Sequence, residues 1–329
     1  MPLATVTQPS RPRRPDDLLG FLCVRDERQL LERSLDHHRA LGIHEFVVVD
    51  NGSTDGTSEY LAAQPDVRLY RTDDSFAASR CGVDWIHELL NLHGTGHWVL
   101  VLDADELFVF PRYEDISLRD FVAYLDRQSV DAVGGIMLDM YSDKTIAETH
   151  LTPGEGCLDS CSFFDGDSYD FLKPGASFSP EFFRGGPRKR VFWDGLEREL
   201  PPPYLGKIPL VKWSAGRAYK ASTHLIPCEK LAVESCVLLH FKFFAPFIES
   251  VAREVERQEH WNSASQYRSY LEVVELDREL TLHYPGSVRL SGTRQLISMG
   301  FMDSSADLDR CVEEARIPDG ESPAGSGSC

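Results

Sequence analysis

Apolar positions in the first half of the chain alternate between two spacings, one for strands and one for helices. Leu19–Val24 is a short apolar run and reads as a buried strand. Asp26 can cap the next helix. In that helix Leu30, Leu31, Leu35, His38 and Leu41 return at helical spacing, and Gly42 stops it. Phe46–Val49 is a β-branched strand that ends in DNGSTDGT, a turn-rich loop in which Asp55 could cap the next helix. Val67–Tyr70 is strand-like. Phe76 to Leu92 reads as a helix with Val83, Ile86, Leu89 and Leu90 on one side, broken by Gly94 and Gly96. Trp98–Leu102 is the most apolar strand and ends in DADE. Ser117 with Asp120 makes a weak capping box for a helix containing Phe121, Val122 and Leu125, and Val133–Met140 looks like another strand. Repeated β-α-β units predict the α/β class, a parallel sheet with helices on both faces.

The second half is less regular. Gly, Pro and aromatic residues are dense from Pro153 to Trp213, and a helical region runs from about Pro246 to Leu276. In the segment Phe247–Glu259, Phe247, Ile248, Val251 and Val255 share a core-facing side. Arg253, Glu254, Glu256 and Arg257 share a solvated one. Residues 1–16, rich in Pro, Arg and Thr, and residues 318–329 read as disordered ends. A soft boundary falls near Thr145, within one domain.

Composition narrows the function. Lys and Arg number 34 against 52 Asp and Glu, a net charge of −18 in 329 residues. That balance excludes a general nucleic-acid or anionic-membrane binder, which needs a broad basic surface. It leaves room for a small anionic ligand held by a metal ion and a few arginines. No run of about 18 apolar residues occurs, so no transmembrane helix is predicted, and no signal-peptide pattern comes after Arg11, Arg13 and Arg14. These features place the protein in the cytoplasm or, through a partner, at the inner face of the membrane. The eight cysteines form no C-x-x-C pair and read as free thiols of a reducing compartment.

Four clusters carry candidate chemistry. Asp103 and Asp105 in DADE alternate on an extended segment, so their side chains point the same way at the carboxyl end of a strand. Two hard carboxylates with few other ligands suit Mg²⁺ or Mn²⁺ shared with phosphates; the plain alternative is an acidic turn. Asp50 and Asn51 open DNGSTDGT, where a carboxylate can accept hydrogen bonds from a base or ribose; a simple β-α turn is the alternative. Arg184, Arg188, Lys189 and Arg190 form a cationic island able to hold a pyrophosphate, or a solvated loop. His240 in VLLHFKF, with His224 in ASTHLI before it, is a core histidine or a further metal ligand. The P-loop, G-x-G-x-x-G after the first strand, G-x-S-x-G and H-E-x-x-H patterns are all missing.

FLCVRDERQLLERSLDHHRALGIHEFVVVDNGSTDGT and, further along, HWVLVLDADELFVF resemble bacterial family 2 type glycosyltransferases of the GT-A fold, in the branch that carries D-N-G-S-D-G-T and D-A-D-E. RKRVFW, KIPLVKW, STHLI and LLHFKF look like the same branch, so the resemblance covers roughly Leu19 to Tyr270. It implies a Rossmann-like, mostly parallel central sheet flanked by helices, with a less regular C-terminal half. In that layout residues 17–145 bind the nucleotide-sugar. Residues 146–280 complete the metal and acceptor side of the same catalytic domain, and 281–317 form a helical extension.

Carried over residue by residue, the resemblance puts Val24 and Asp26 in the nucleotide pocket. Asp50, with Asn51, meets the base or ribose, and Arg80 lies near the nucleotide. Asp103 and Asp105 form the metal and diphosphate motif, Asp105 as the direct ligand, and His240 completes the metal site. Arg190 joins the nucleotide-sugar set from the basic island. Two departures stand out. The family's Asn-Glu after the first strand is Asp26-Glu27 here, and neither an E-D base motif nor Q-x-x-R-W is evident. That argues against processive polymerisation and leaves Asp194, Glu197, Asp139 and Asp143 as rival bases.

The implied activity is inverting, Mn²⁺- or Mg²⁺-dependent transfer from a nucleoside-diphosphate sugar to a hydroxyl, in glycan or cell-surface polysaccharide biosynthesis. The acceptor would be a glycan, a lipid-linked glycan or a protein, with peripheral membrane association compatible. Two other readings use the same residues: a non-catalytic sugar-nucleotide or glycan-binding protein, and a D-x-D phosphatase with Asp103 as nucleophile.

Overall fold

Alternating side chains on the central strands feed two apolar cores, one on each face of a single sheet. In the computed structural model, which describes residues 3–171, 183–198, 200–228 and 230–316, that sheet has nine strands. The tail expected at 318–329 lies outside the described residues.

The first half contributes β1 (Ala4–Thr7), β2 (Leu18–Val24), α1 (Arg28–Leu41), β3 (Ile43–Asp50), α2 (Thr57–Ala62) and β4 (Val67–Arg71). Then come α3 (Val83–Leu89), β5 (Trp98–Leu102), β6 (Glu106–Val109), α4 (Leu118–Arg127) and β7 (Ala132–Asp139). The second half begins with α5 (Cys157–Ser160), β8 (Phe163–Asp165), β9 (Tyr169–Phe171), β10 (Phe183–Gly185) and α6 (Gly186–Phe192). It continues with β11 (Gly206–Lys212), β12 (Cys236–His240), α7 (Pro246–Arg257) and α8 (Trp261–Leu276). Last are β13 (Ser287–Arg289), α9 (Thr293–Ser298) and α10 (Ala306–Arg316).

Strand order is β1-β4-β3-β2-β5-β11-β7-β12-β6. The pairings make β4, β3, β2, β5, β7 and β12 run one way and β1, β11 and β6 the other. The mostly parallel, helix-flanked sheet of the GT-A type is therefore present. Leu18, Leu22, Val48, Leu100 and Leu102 join α1 and α4 on one face. Leu19, Phe21, Val47, Val49, Val99 and Val101 join α3 on the other. Strands buried on both faces read as continuous apolar runs, which is why β2, β3 and β5 are so plain in the sequence.

Local signals hold at several places. Gly42 ends α1 at φ 98° and donates its N–H to Arg39 O and His38 O. Ser117 and Asp120 form the capping box of α4. Asp55 accepts from Thr57 N near the start of α2, at 2.9 Å, and also from Arg28 N in α1, at 3.0 Å. Asp26, expected to cap α1, instead sits at φ 54° and accepts from Thr54 N, and Glu27 takes the N-cap position.

Two expectations fail for tertiary reasons. The N-terminal arm is not loose: β1 pairs antiparallel with β4, and Arg13 bonds the nearly buried Glu45 at 2.6 Å. An edge strand with unpaired backbone groups recruits it. The helix expected from Phe76 begins only at Val83. Arg80, Cys81 and Gly82 all take positive φ, and a Cβ on Gly82 would come within 3.0 Å of the Phe76 ring and 3.1 Å of Cys23 Sγ. Close approach to β2 thus breaks the helical path. At the other end a π-helical turn, Leu90–Gly94, extends α3.

His38 has no exposed surface. Its Nδ1–H donates to Ser34 O at 2.7 Å, and Nε2 accepts from Phe108 N at 3.3 Å. Burial, then the neighbouring His37, hold its pKa well below the ordinary value of 6.5. A group depressed in the folded state is stabilising above its unfolded pKa and loses that stability as pH falls toward the folded value. Urea denaturation at pH 7 and pH 5.5 should show a loss of about 1 kcal/mol from this one residue. The His38→Gln variant should lack that component, and an equal slope in both proteins would disprove it.

Candidate functional site

The sheet's carboxyl edge is crossed by one short turn. β5 ends at Leu102 in the middle of the sheet, while β6 begins at Glu106 on its far edge beside β12. Asp103, Ala104 and Asp105 therefore travel past the ends of β11, β7 and β12. Phe241 N donates to Asp105 O at 2.8 Å, which ties the turn to the end of β12.

A buried ion pair fixes the start of the turn. Lys207 on β11 and Glu106 have no exposed side-chain surface, and Nζ donates to Glu106 Oε2 at 2.6 Å and to Asp103 Oδ2 at 3.1 Å. The same Glu106 oxygen accepts from Asp103 N at 2.9 Å. Burial works against the lysine's charge, yet Asp103 and Glu106 raise its pKa above the ordinary value. Burial pushes Glu106 up to about 7 against the pull of Lys207. Burial also opposes the charge on Asp103, but Lys207 wins and holds it below the usual carboxylate range.

A second network fixes the end. His240 closes β12 with Nε2 3.0 Å from Asp105 Oδ2 and Nδ1 2.7 Å from Asp139 Oδ1. Arg188 of α6 grips both oxygens of Asp139 through Nε and Nη2, at 2.7 to 3.0 Å, and its Nη2 lies 3.0 Å from His240 Nδ1. Asp139 stays below the usual range because Arg188 and His240 outweigh its burial. Asp105 is lowered further, its burial outweighed chiefly by His240. Burial pulls the His240 pKa down, but Asp105 and its hydrogen bonds raise it above the ordinary value.

Both networks open on a cleft of about 530 Å³. Val24, Asp26, Asn51, Asp103, Asp105 and His240 line it. Arg188 of the basic island lines it too, whereas Asp50, Arg80, Asp139, Asp143, Arg190, Asp194 and Glu197 do not. Asp50 has no exposed surface, and its Oδ1 accepts from Ser53 N at 3.0 Å. Arg80 pairs with Asp84 at 2.6 Å and donates to the Lys220 carbonyl. Arg190 pairs with Asp165 at 2.8 Å and lies over the Tyr284 ring. Asp194 pairs with Lys189 at 3.1 Å, and Glu197 is exposed; neither lines the cleft. Asp139 lies behind His240 and spends its oxygens on Arg188 and that ring.

The cleft also takes in His224, from the ASTHLI segment, and residues that the motifs missed. Glu27 lines the cleft, and burial together with Asp105 raises its carboxyl well above the ordinary value. His224 is driven down to about 3, first by burial and then by Lys207. Arg253, Glu254 and Arg257, read as the solvated face of α7, form a wall of the cleft instead. Arg257 donates to Asn51 Oδ1 at 3.0 Å, and Glu259 accepts from Ser75 Oγ and Ala77 N at 2.6 and 2.8 Å. The end of α7 and the link to α8 thus join the two loops that end β3 and β4. The DERQ segment gave Glu27 a visible signal. Lys207 had none, because KIPLVK reads as an apolar strand.

Residues 21–189 match the glycosyl transferase family 2 model. The chain belongs to that family. A TPR repeat-containing protein of Synechococcus elongatus is 34% identical over 97 residues, 29% of this chain, and the match spans only 22% of that protein's length. A 4-diphosphocytidyl-2C-methyl-D-erythritol synthase structure shares 21% identity over 43% of this chain and 66% of its own, with a TM-score of 0.25. A likeness at that score carries no argument.

Among the described residues no group of three or more His, Cys, Asp or Glu gathers as a metal-ligand set. Asp105 and His240 nevertheless place an oxygen and a nitrogen 3.0 Å apart at the cleft, with Asp103 on the same turn. A Mg²⁺-like ion held by one or two carboxylates plus ligand phosphates needs no larger protein set, so these donors fit such an ion.

Lys207→Met in this family 2 protein leaves Glu106 buried without its cation. It should lower the unfolding free energy by about 3–5 kcal/mol in denaturant titration. Lys207→Met with Glu106→Gln should recover part of that loss. No recovery would mean that the pair is not the source of the cost.

Proposed function

We propose that this family 2 protein moves a sugar from a nucleoside-diphosphate sugar to a hydroxyl acceptor at the cleft, with inversion. The observation that carries this is the meeting of Asp105 from the β5–β6 turn with His240 from β12, 3.0 Å apart, at the carboxyl edge of the sheet. Asp103, Asp105 and His240 would hold Mn²⁺ or Mg²⁺, which supplies charge neutralisation for the diphosphate leaving group. His240 is preset for that role because Asp139 takes its Nδ1 and directs Nε2 at Asp105. Val24, Asp26 and Asn51 border the donor end. Arg257 fixes the Asn51 side chain by taking its oxygen.

Acceptor deprotonation falls to a carboxylate of the cleft wall, since Asp143, Asp194 and Glu197 lie outside it and Asp139 is fully engaged. Acceptors of this reading are a glycan, a lipid-linked glycan or a protein, in glycan or cell-surface polysaccharide synthesis on the cytoplasmic side. Among the described residues no helix is long and apolar enough to cross a membrane. The non-catalytic binding reading keeps one point in its favour: none of the four expected bases offers a free carboxylate to the cleft. Lys207 holds one Asp103 oxygen, Oδ2, so the phosphatase reading is left with the other as nucleophile.

Calorimetric titration of UDP, GDP, dTDP and CDP, with and without Mn²⁺, tests the donor site. One nucleotide should bind in a metal-dependent way, and Asp105→Asn should weaken it by about tenfold or more, equivalent to about 1.4 kcal/mol. No nucleotide binding in either condition would sink the donor reading. Binding without turnover across an acceptor panel would favour the non-catalytic one.

A further inference from the structure

Most cations on or beside the cleft are already neutralised. Arg188 is paired with Asp139, Lys207 with Glu106 and Asp103, and Arg257 lies 3.6 Å from Glu254. Lys242 is different. It comes two residues after His240, lines the cleft and is half-buried. Its Nζ lies 3.4 Å from the Tyr267 hydroxyl, and 4.9 and 5.9 Å from the ring centroids of Tyr267 and Tyr270. Among the described residues no carboxylate comes within ion-pair distance of it.

Aromatic faces attract an ammonium and hold it in place, but they do not satisfy its hydrogen bonds. Nζ has three donors, and the Tyr267 oxygen can take one of them. A cation drawn partly out of water with donors to spare is complementary to a ligand anion, above all to phosphate oxygens. Its place supports that match. His240 and Lys242 both line the cleft, and Asp105 is bound to the backbone of Phe241 between them. An anion reaching a cation held at Asp105 comes within the neighbourhood of Lys242.

We propose that Lys242 binds the diphosphate oxygens of the donor and of the released nucleoside diphosphate, as a fixed protein cation braced by Tyr267 and Tyr270. The inference rests on the nucleoside-diphosphate-sugar reading above. Lys242 acts by charge and hydrogen bonding and transfers no proton. Its effect is therefore confined to ligands that carry the diphosphate.

The test compares the nucleoside, monophosphate and diphosphate of the preferred base by calorimetry, on wild type, Lys242→Met, Lys242→Gln and Lys242→Arg, each checked by thermal melting. Loss of the charge should weaken diphosphate binding about tenfold or more and leave nucleoside binding within about twofold. Lys242→Arg should recover most of the loss, which a purely packing role would not predict. The glutamine variant serves if the methionine one does not fold. An unchanged ratio of diphosphate to nucleoside affinity in the neutral variants overturns the assignment while the donor reading stands. Wild type that binds no nucleotide overturns both.

Discussion

A lysine and a glutamate with no exposed side-chain surface, 2.6 Å apart, hold the turn on which the cleft is built. Taking two charges out of water costs several kcal/mol each, and only a close, hydrogen-bonded partner offsets it. Lys207 and Glu106 meet that condition, and the same ammonium and the same carboxylate also bind the side chain and the backbone of Asp103. The chain is thereby committed to crossing the sheet edge at one height. That crossing sets Asp103 by β11 and Asp105 by β12, and so decides which groups can meet a ligand.

The polar residues around the turn obey the same constraint. An apolar sheet tolerates carboxylates at its edge only when cations reach them. Lys207, His240 and Arg188 come from β11, β12 and α6, elements far apart in the sequence, and each answers a specific acid. His240 lies between two carboxylates, so its orientation is imposed from both ring nitrogens. The end of α7 and the link after it then close the other side, with Arg257 on Asn51 and Glu259 on the loop at Ser75 and Ala77. The cleft is bounded by loops of the first half and by C-terminal helices that no linear motif connects. Gly135 shows how tight the assembly is: a Cβ there would lie 2.1 Å from the Cys236 carbonyl oxygen, on the strand that carries His240.

Legibility in the sequence varied with the range of the interaction. The strand at Trp98–Leu102, the stop at Gly42 and the capping box at Ser117 depend on neighbours in the chain, and they stand where the pattern put them. The basic island was visible, yet the pattern could not say which arginine mattered. Arg188 turns inward to Asp139, while Arg190 turns to Asp165. Asp194 and Glu197 follow that island in the sequence, yet both are exposed and outside the cleft. The polar face of α7 looked solvated because periodicity reports that a face is polar, not what it faces.

By itself the sequence determined the α/β alternation, the two acidic and polar loops that end β3 and β5, and the presence of a histidine in β12. These rest on apolar periodicity and on residue chemistry, which are local properties. The tertiary structure alone decided that Lys207 is a buried counter-ion, that Asp103 and Asp105 serve different partners, and that Lys242 stands without an acid among the described residues. Charge pairing inside a protein is settled by distances of about 3 to 4 Å and by the exclusion of water. A linear pattern carries neither, so those assignments appear only once the strands are side by side.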